Sequence, residues 1–295
     1  MSAVIHAFDD EVAPAARLAQ ALDLPAPALV SVHRFPDGES LPVVAASAGR
    51  TVIVYRSLDR PDGKLAPLLL AADAWRRAGA RRLVLVAPYM AYLRQDKVFA
   101  PGQPVSRDVI GRLLGGAFDR IVTVEPHLHR TADLAAVFGV PVGIVSAAET
   151  LARALGGADP QAVLVGPDEE SAPWVASLAA RMGARFILLN KIRQGDRSVA
   201  IDAAPLAQLA GRRVVLVDDI CSSGATLMAG ARQVAAVGPA SLEAAVAHAL
   251  CGQAVGAALS AAGVARLIAT DSCAGPLGVA PLAGVLAEAL QEELG

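Results

Sequence analysis

The chain has 295 residues, of which 54% are hydrophobic and 18% are charged. This length is enough for two compact domains or one large domain, and the apolar content is ample for buried cores. The formal net charge of −2 gives no broad electrostatic reason to expect nucleic acid or an acidic membrane surface as a partner. A site for anions would therefore have to be a local cluster of residues.

The mean hydropathy of +0.47 raises the question of a membrane segment. The longest uncharged run, residues 244–265, is long enough to cross a bilayer, but it is mostly Ala and Gly and lacks the Leu, Ile and Phe density that drives insertion. We therefore expect no membrane partner. The N-terminus shows no export signal, and Cys221, Cys251 and Cys273 show no C-x-x-C spacing, which indicates reduced thiols in a cytoplasmic protein.

Short β-branched runs recur along the chain, each followed by a turn and a helical stretch rich in Ala, Leu and Arg. Many of these runs are continuously apolar, as strands covered on both faces are. Their alternation with helices predicts an α/β fold of parallel sheets flanked by helices. The predicted strands are 4–8, 29–33, 51–55, 82–87, 120–124, 162–166, 185–189, 213–217, 242–247 and 266–270. The predicted helices are 11–22, 64–79, 105–116, 169–182, 223–237 and 282–293.

The ten predicted strands form two sets of five, which indicates two similar α/β halves with a break around 139–148. We expect an N-terminal domain at 1–143, a C-terminal domain at 144–280, and a C-terminal helix at 281–295 that packs back on the N-terminal domain. In such folds the chemistry gathers at the carboxyl ends of the strands. Charged or polar segments follow six of the predicted strands, which is hard to explain by packing alone.

The sharpest local signal is the segment 214–226, an apolar strand followed by Asp218, Asp219 and a turn of small residues that opens a helix. Backbone N–H groups at a helix N-terminus, joined by the hydroxyls of Ser222, Ser223 and Thr226, form a seat for phosphate. The paired carboxylates would accept hydrogen bonds from ribose hydroxyls or hold water on a metal ion. The alternative is that the acids cap the helix and the turn is ordinary. We call residues 218–226 the phosphate loop.

The phosphate loop resembles that of type I phosphoribosyltransferases and of ribose-phosphate pyrophosphokinases. Five further motifs resemble the pyrophosphokinase family and are lacking in ordinary phosphoribosyltransferases. They follow the family's order and, with the phosphate loop, cover about residues 4–285, so the chain is identified as a member of this family, closest to its compact archaeal-type branch. The motifs are Arg-Phe-Pro-Asp-Gly-Glu at 34–39, Pro-Tyr-Met-Ala-Tyr-Leu-Arg-Gln-Asp-Lys at 88–97, Thr-Val-Glu-Pro-His at 123–127, Gly-Pro-Asp at 166–168 and Lys-Ile-Arg at 191–193.

The resemblance implies two similar phosphoribosyltransferase-type I domains, each a mainly parallel sheet flanked by helices, related by pseudo-twofold symmetry and sharing one active site. The implied reaction moves the β,γ-diphosphoryl group of ATP to the 1-hydroxyl of ribose 5-phosphate and requires Mg²⁺. In the family the active site is completed across a dimer interface, so a homodimer or higher homo-oligomer is expected. The rival hypotheses are a catalytically weak regulatory relative that binds nucleotide or phosphoribose, and a phosphoribosyltransferase acting on a base.

The same resemblance assigns roles to individual residues. ATP binding falls to Phe35, Asp37, Glu39, Arg94, Gln95 and His127. Ribose 5-phosphate binding falls to Asp218, Asp219, Ser222, Ser223, Gly224, Ala225 and Thr226. The metal ligands are His127 and Asp168, and the catalytic residues are Lys191 and Arg193 in a flexible loop that closes over ATP.

Taken alone, several of these motifs have plainer explanations. The Phe-Pro-Asp-Gly-Glu segment would be a turn, the Arg-Gln-Asp-Lys and Lys-Ile-Arg segments would be solvated loops, and Asp168 would be a helix N-cap. His127 and His129 would lie on one side of a strand, as a metal pair does, if the strand extends that far.

Some positions depart from the family's usual pattern. Glu125 stands where Asp is typical, Glu169 and Glu170 add negative charge after Asp168, and Ala225 cannot freely take a positive φ. We expect these departures to weaken activity at most, because no residue assigned to catalysis is lost.

Overall fold

The computed structural model describes residues 3–128, 133–189, 191–194, 198–201 and 206–294, giving the backbone alone for 191–194 and 198–201. The chain divides into two compact units. The first unit comprises Met1–Ser146, Ser272–Ala274 and Leu282–Gly295, and the second comprises Ala147–Asp271 and Gly275–Pro281.

The elements alternate along the chain as the sequence predicts. The strands are β1 (Ala3–Phe8), β2 (Ala28–Arg34), β3 (Ser40–Val43), β4 (Thr51–Tyr55), β5 (Arg82–Val86), β6 (Arg120–Val124), β7 (Val142–Val145), β8 (Val163–Gly166), β9 (Arg185–Leu188), β10 (Lys191–Gln194), β11 (Ser198–Ile201), β12 (Arg213–Cys221), β13 (Ser241–Ala249), β14 (Leu267–Thr270) and β15 (Gly278–Ala280). The helices are α1 (Val12–Ala21), α2 (Asp62–Arg77), α3 (Ser106–Ala117), α4 (Leu134–Phe138), α5 (Ala148–Ala154), α6 (Ala172–Met182), α7 (Ala225–Ala236), α8 (Gln253–Ala261) and α9 (Ala283–Leu290).

The first unit is built on a seven-stranded sheet with the order β3-β2-β1-β4-β5-β6-β7. All neighbouring strands are parallel except β2 and β3, which form an antiparallel hairpin. On one face, Val54 and Leu85 of the sheet join Leu68, Trp75 and Leu114 of α2 and α3 in a buried core. Helix α1 contacts β1, α9 contacts β7, and the two helices pack against each other.

Helix α9 is fastened to the first unit by charge as well as packing. Beyond its end, the buried Glu293 carboxylate accepts hydrogen bonds from Arg82 Nε at 2.7 Å and from an Arg120 guanidinium nitrogen at 3.0 Å. Arg82 and Arg120 begin β5 and β6. Burial pushes the pKa of Glu293 up, but the two guanidinium groups outweigh it and the pKa is lowered, so the carboxylate stays charged.

The second unit has a six-stranded, all-parallel sheet with the order β15-β14-β13-β12-β8-β9. Its core joins Val214 and Val246 of the central strands to Leu227 and Val234 of α7 and Leu259 of α8. Helices α5 and α6 also contact this sheet. The α/β class and the two mainly parallel sheets flanked by helices are thus confirmed.

The structure differs from the sequence prediction in several elements, among them the unpredicted α4, α5, β10, β11 and β15. Strands β3 and β7 were not predicted, and β7 pairs with β6 inside the segment where we expected a break between the halves. Strand β12 continues past 217 to Cys221, because its later residues keep pairing with β13 up to Cys221 opposite Ala249. Residues 244–265 are divided between a strand, a loop and α8. In the described part of the chain, no helix combines the length and hydropathy needed to cross a membrane.

Candidate active site

The phosphate loop turns at Gly224, directly before α7. Gly224 has φ of 73°, in the left-handed region, and it is buried. A Cβ added there would lie 2.4 Å from Val255 Cγ1 of α8, so both the backbone and the available space require glycine. The residue that must take a positive φ is therefore Gly224, and Ala225 begins the helix. The concern that Ala225 would strain the loop does not apply to this backbone.

The hydroxyl groups of the phosphate loop face outward. Ser222, Ser223 and Thr226 are exposed, and Ser223 Oγ accepts a hydrogen bond of 3.4 Å from the backbone N–H of Ala225. The first N–H groups of a helix have no partner within the helix, and they carry the positive end of its dipole. Amides and hydroxyls of this kind, arranged around one small turn, suit the oxygens of a phosphate group.

Carboxylates gather at the carboxyl ends of the neighbouring strands β8 and β12. The backbone N–H of Asp219 donates to Asp218 Oδ1 at 2.9 Å. Burial, the charge of Asp219 and the charge of Asp168 together raise the pKa of Asp218 to about 8. Neighbouring negative charges make it unfavourable for all of these carboxylates to be ionised at once. A cation bound between them would remove that repulsion. Mg²⁺ in particular prefers carboxylate oxygens and water.

Asp168 is an N-cap, as its plainer explanation predicted. Its Oδ1 accepts from the backbone N–H of Ser171 at 3.2 Å, and Ser171 Oγ donates to the Asp168 carbonyl at 2.6 Å. A carboxylate has two oxygens, so capping and cation binding are compatible. Glu169 and Glu170, which follow Asp168, are exposed to solvent, where their charge is screened.

Sequence reasoning missed the importance of Gly166. A Cβ at this last residue of β8 would lie 2.7 Å from Ser171 Oγ and 2.8 Å from side-chain atoms of Leu188 and Val175. The glycine therefore lets the Asp168 turn pack against β9 and α6. The only sequence signal was its place in the Gly-Pro-Asp motif.

Lys191 and Arg193 lie on β10, where the sequence predicted a loop. The backbone of β10 pairs with β11 in an antiparallel hairpin, with Lys191 opposite Ile201 and Arg193 opposite Val199. Residues 190 and 195–197, which belong to the same predicted loop, lie outside the described residues.

In the first unit, Phe35, Asp37 and Glu39 form the exposed turn of the β2–β3 hairpin. The backbone N–H of Phe35 donates to the Glu39 carbonyl at 2.9 Å, and Asp37 Oδ1 accepts from the Glu39 N–H at 3.1 Å. The ring of Phe35 stands edge-on to that of His33, with centroids 4.5 Å apart. The turn predicted from composition is present, and it presents all three side chains to solvent.

Arg94 and Gln95 are exposed in the loop after β5. His127 is half-buried in the loop after β6, and since that strand ends at Val124 it does not extend as far as His127. His129 lies outside the described residues. Glu125, the departure from the family pattern, has φ of 35°, and its Oε1 accepts a hydrogen bond of 2.7 Å from Ser146 Oγ.

Among the residues whose side chains are described, no group of three or more His, Cys, Asp or Glu side chains is arranged to hold a metal ion. Mg²⁺ is commonly held by one or two carboxylates together with water and substrate phosphates. The carboxylates at the ends of β8 and β12 fit a Mg²⁺ site of this kind, which water and substrate phosphates complete.

A buried ionic cluster at the carboxyl ends of β1 and β4 was also missed. Lys64 Nζ donates to Glu11 Oε1 at 3.2 Å and to Asp59 Oδ1 at 2.6 Å, and Arg56 donates to Glu11 Oε2 at 3.2 Å. Burial raises the pKa of Glu11 to about 7, against the opposing pull of Arg56 and Lys64. The cluster fixes the loop after β4, beside the loop that carries Arg94.

Comparisons with known proteins identify the family of the chain. A family model for the N-terminal domain of ribose phosphate pyrophosphokinase matches residues 4–117, and a phosphoribosyl transferase domain model matches residues 143–253. The ribose-phosphate pyrophosphokinase of Methanopyrus kandleri is 36% identical over 293 residues, covering 98% of each chain. That of Halobacterium salinarum is 32% identical over 263 residues, covering 88% of this chain and 91% of the relative.

A solved structure shares the fold. The phosphoribosylpyrophosphate synthetase of Mycobacterium smegmatis matches with a TM-score of 0.83 at 24% identity, covering 99% of this chain and 98% of that chain. With two family models and full-length relatives in agreement, the chain belongs to the ribose-phosphate pyrophosphokinase family.

Proposed function

We infer that this protein transfers the β,γ-diphosphoryl group of ATP to the 1-hydroxyl of ribose 5-phosphate, giving phosphoribosyl pyrophosphate and AMP. The observation that carries this function is the phosphate loop, with its left-handed Gly224 turn opening α7 beside Asp218 and Asp219. A phosphate alone would be repelled by paired carboxylates. A phosphosugar suits them, because its vicinal hydroxyls donate to the carboxylates while its phosphate meets the helix N-terminus.

In the first unit we assign ATP binding to Phe35, Asp37, Glu39, Arg94, Gln95 and His127. The guanidinium of Arg94 is planar and always charged, so it can stack on adenine and also pair with phosphate. Carboxylates that accept from the exocyclic amine would favour adenine over guanine.

Catalysis in this reaction consists of positioning and charge stabilisation, because negative charge develops on the AMP oxygen as its bond to the β-phosphorus breaks. We assign the stabilising cations to Lys191 and Arg193. The backbone of both residues lies on the β10–β11 hairpin. The 1-hydroxyl proton is then lost to solvent as the new bond forms.

Bound Mg²⁺ would neutralise charge on the polyphosphate and polarise its oxygens. We propose His127 and Asp168 as its ligands, and Asp218 and Asp219 as groups that hold water around it. Burial raises the pKa of Asp218, and the nearby Asp219 and Asp168 carboxylates raise it further, which supports a cation at the ends of β8 and β12. A homodimer or higher homo-oligomer, and a cytoplasmic location, remain predictions from the sequence.

The test is a coupled assay for AMP release that depends on both ribose 5-phosphate and Mg²⁺. Lys191→Ala should still bind both substrates but lose about 100-fold to 1,000-fold in kcat, the usual cost of removing one transition-state contact. Arg77→Ala is the control, because Arg77 is an exposed cation of α2 paired only with Asp73 among its described contacts.

Three outcomes would contradict parts of this proposal. Nearly normal turnover in Lys191→Ala would remove the role of Lys191. AMP release that does not need ribose 5-phosphate would remove the proposed reaction. Substrate binding without turnover in the wild type would favour the regulatory relative.

A further inference from the structure

The loop that carries Arg94 and Gln95 is braced at its start by the buried ionic cluster. We call residues 89–95 the nucleotide loop. The backbone N–H of Leu58 donates to the Tyr89 carbonyl at 2.9 Å, and that of Tyr89 donates to Ser57 Oγ at 3.3 Å. Ser57 is held in turn, because its N–H donates to Glu11 Oε1 at 2.9 Å and its carbonyl accepts from Lys64 Nζ at 2.9 Å.

The middle of the nucleotide loop has an unusual backbone at Tyr92. Its φ is 64°, a left-handed conformation that bulky side chains rarely adopt. The Tyr92 hydroxyl donates a hydrogen bond to the carboxylate of Asp62, the first residue of α2. This bond raises the pKa of the Tyr92 phenol, so the group remains a donor at neutral pH. Strained backbone that persists must be held by its surroundings, and such residues cluster at functional sites.

The end of the nucleotide loop is tied to the first turn of α3. Ser106 Oγ donates to Gln95 Oε1 at 2.6 Å, and the backbone N–H of Arg107 donates to the Gln95 carbonyl at 3.3 Å. Since its amide oxygen already accepts from Ser106, Gln95 offers its NH₂ group to a ligand. The hydrogen bond from Ser106 therefore orients the Gln95 side chain so that its NH₂ group faces solvent.

Between these two ties, the chain alternates between burial and exposure. Leu93 is 3% exposed and packs in the core of the first unit, whereas Arg94 and Gln95 are exposed. The two side chains assigned to ATP are thus carried on a short segment whose neighbours on both sides are fastened to helices.

We propose that Tyr92 and Ser106 are positioning residues of the nucleotide site, which hold Arg94 and Gln95 in their ATP-binding arrangement before ATP arrives. The proposal rests on the assignment of ATP binding to Arg94 and Gln95. Neither positioning residue needs to touch the substrate. Their contribution is preorganisation: a loop already in its bound conformation loses less conformational freedom on binding.

The test compares Tyr92→Phe and Ser106→Ala with the wild type, each of which removes one hydroxyl. We expect each variant to raise KM for ATP about fivefold to tenfold, as the loss of one hydrogen bond does. KM for ribose 5-phosphate and the thermal unfolding midpoint should not change. Binding of a fluorescent ATP analogue, measured without turnover, should weaken by the same factor.

Variants of Asp62, which accepts the hydrogen bond from Tyr92, test the same interaction from the other partner. Asp62→Ala should behave like Tyr92→Phe, whereas Asp62→Asn should stay near the wild type, because an amide oxygen accepts the same hydrogen bond. The double variant Tyr92→Phe/Asp62→Ala should be no worse than either single variant, since both remove one interaction. Asp73→Asn, a change to an exposed carboxylate farther along α2, is the matched control.

An unchanged KM for ATP in both Tyr92→Phe and Ser106→Ala would overturn the proposal. So would an equal rise in KM for both substrates together with a lower unfolding midpoint, because that pattern indicates a structural role alone. The two proposals fail differently. Absence of AMP release and of nucleotide binding in the wild type defeats the proposed function. A defective Arg94→Ala beside normal Tyr92→Phe and Ser106→Ala variants defeats only this inference.

Discussion

Replacing Gly224 by alanine should damage the phosphate loop in a way that can be separated into two causes. The left-handed φ of 73° costs a residue with a Cβ about 1 to 2 kcal/mol. The new Cβ would also lie 2.4 Å from Val255 Cγ1, far inside the optimal carbon–carbon separation, and overpacking of this kind costs about 1 to 3 kcal/mol. We therefore expect Gly224→Ala to lower the free energy of unfolding by about 2 to 5 kcal/mol. A shift of the loop that relieves the overlap would reduce this cost.

The double variant Gly224→Ala/Val255→Ala distinguishes the causes, because it removes the overlap and keeps the backbone strain. It should be more stable than the sum of the single variants predicts, by about 1 to 3 kcal/mol. Gly256→Ala on α8 is the matched control, since its Cβ would meet open space and its φ is not positive. That change should be neutral or slightly stabilising, as glycine-to-alanine changes within helices are.

The assay combines denaturant unfolding with calorimetric binding of ribose 5-phosphate. Gly224→Ala should weaken ribose 5-phosphate binding more than ATP binding, because the turn orients the amides that meet the sugar phosphate. Unaltered ribose 5-phosphate binding in a folded Gly224→Ala protein would refute the role given to this turn. A double variant whose loss of stability equals the sum of the two single losses would refute the steric argument.

Two further predictions concern buried ionisable groups. Burial lowers the pKa of His6 to about 4. As the pH falls from 6.5 to 4, the unfolded chain therefore takes up a proton that the folded chain does not, and the free energy of unfolding should fall by about 3 kcal/mol. An NMR titration that places the pKa of His6 in the folded protein near 6.5 would contradict this. Glu11→Ala removes the acceptor that Arg56 and Lys64 share, although Asp10 still pairs with Arg56 and Asp59 with Lys64. We expect it to lower the free energy of unfolding in urea by about 1 to 3 kcal/mol, the cost of leaving buried donors without an acceptor. Glu11→Gln should cost less because its amide oxygen still accepts a hydrogen bond, and equal costs would contradict this explanation.

The central strands could be predicted because their burial is complete. Strand β4 is buried at all five positions, and β5 and β12 carry similar continuous apolar runs. The four-residue strands β3 and β7 lie at the two edges of their sheet, and within the part of the chain that the structure describes each pairs with a single neighbouring strand. Their partly exposed residues give a weak pattern, so the sequence does not separate them from loops.

The candidate site was predictable where a motif combines strand, turn and helix, as in the phosphate loop. Its details depend on partners that are distant in sequence. The left-handed residue is Gly224 and not its neighbour Ala225, a point that depends on Val255 of α8. The bond from Ser106 to Gln95 spans eleven residues and depends on how α3 packs, which no local pattern reports.

The ion pairs of Glu293 have a consequence for biosynthesis. Residues 282–294 belong to the first unit, yet the ribosome makes them after the whole of the second unit. Until Glu293 reaches Arg82 and Arg120, those two guanidinium groups lack the carboxylate that neutralises them, and α1 lacks the helix that packs on it. The first unit therefore cannot complete its fold on the ribosome until the whole of the second unit has been translated. Folding of the two units is linked in time even though their sheets are separate.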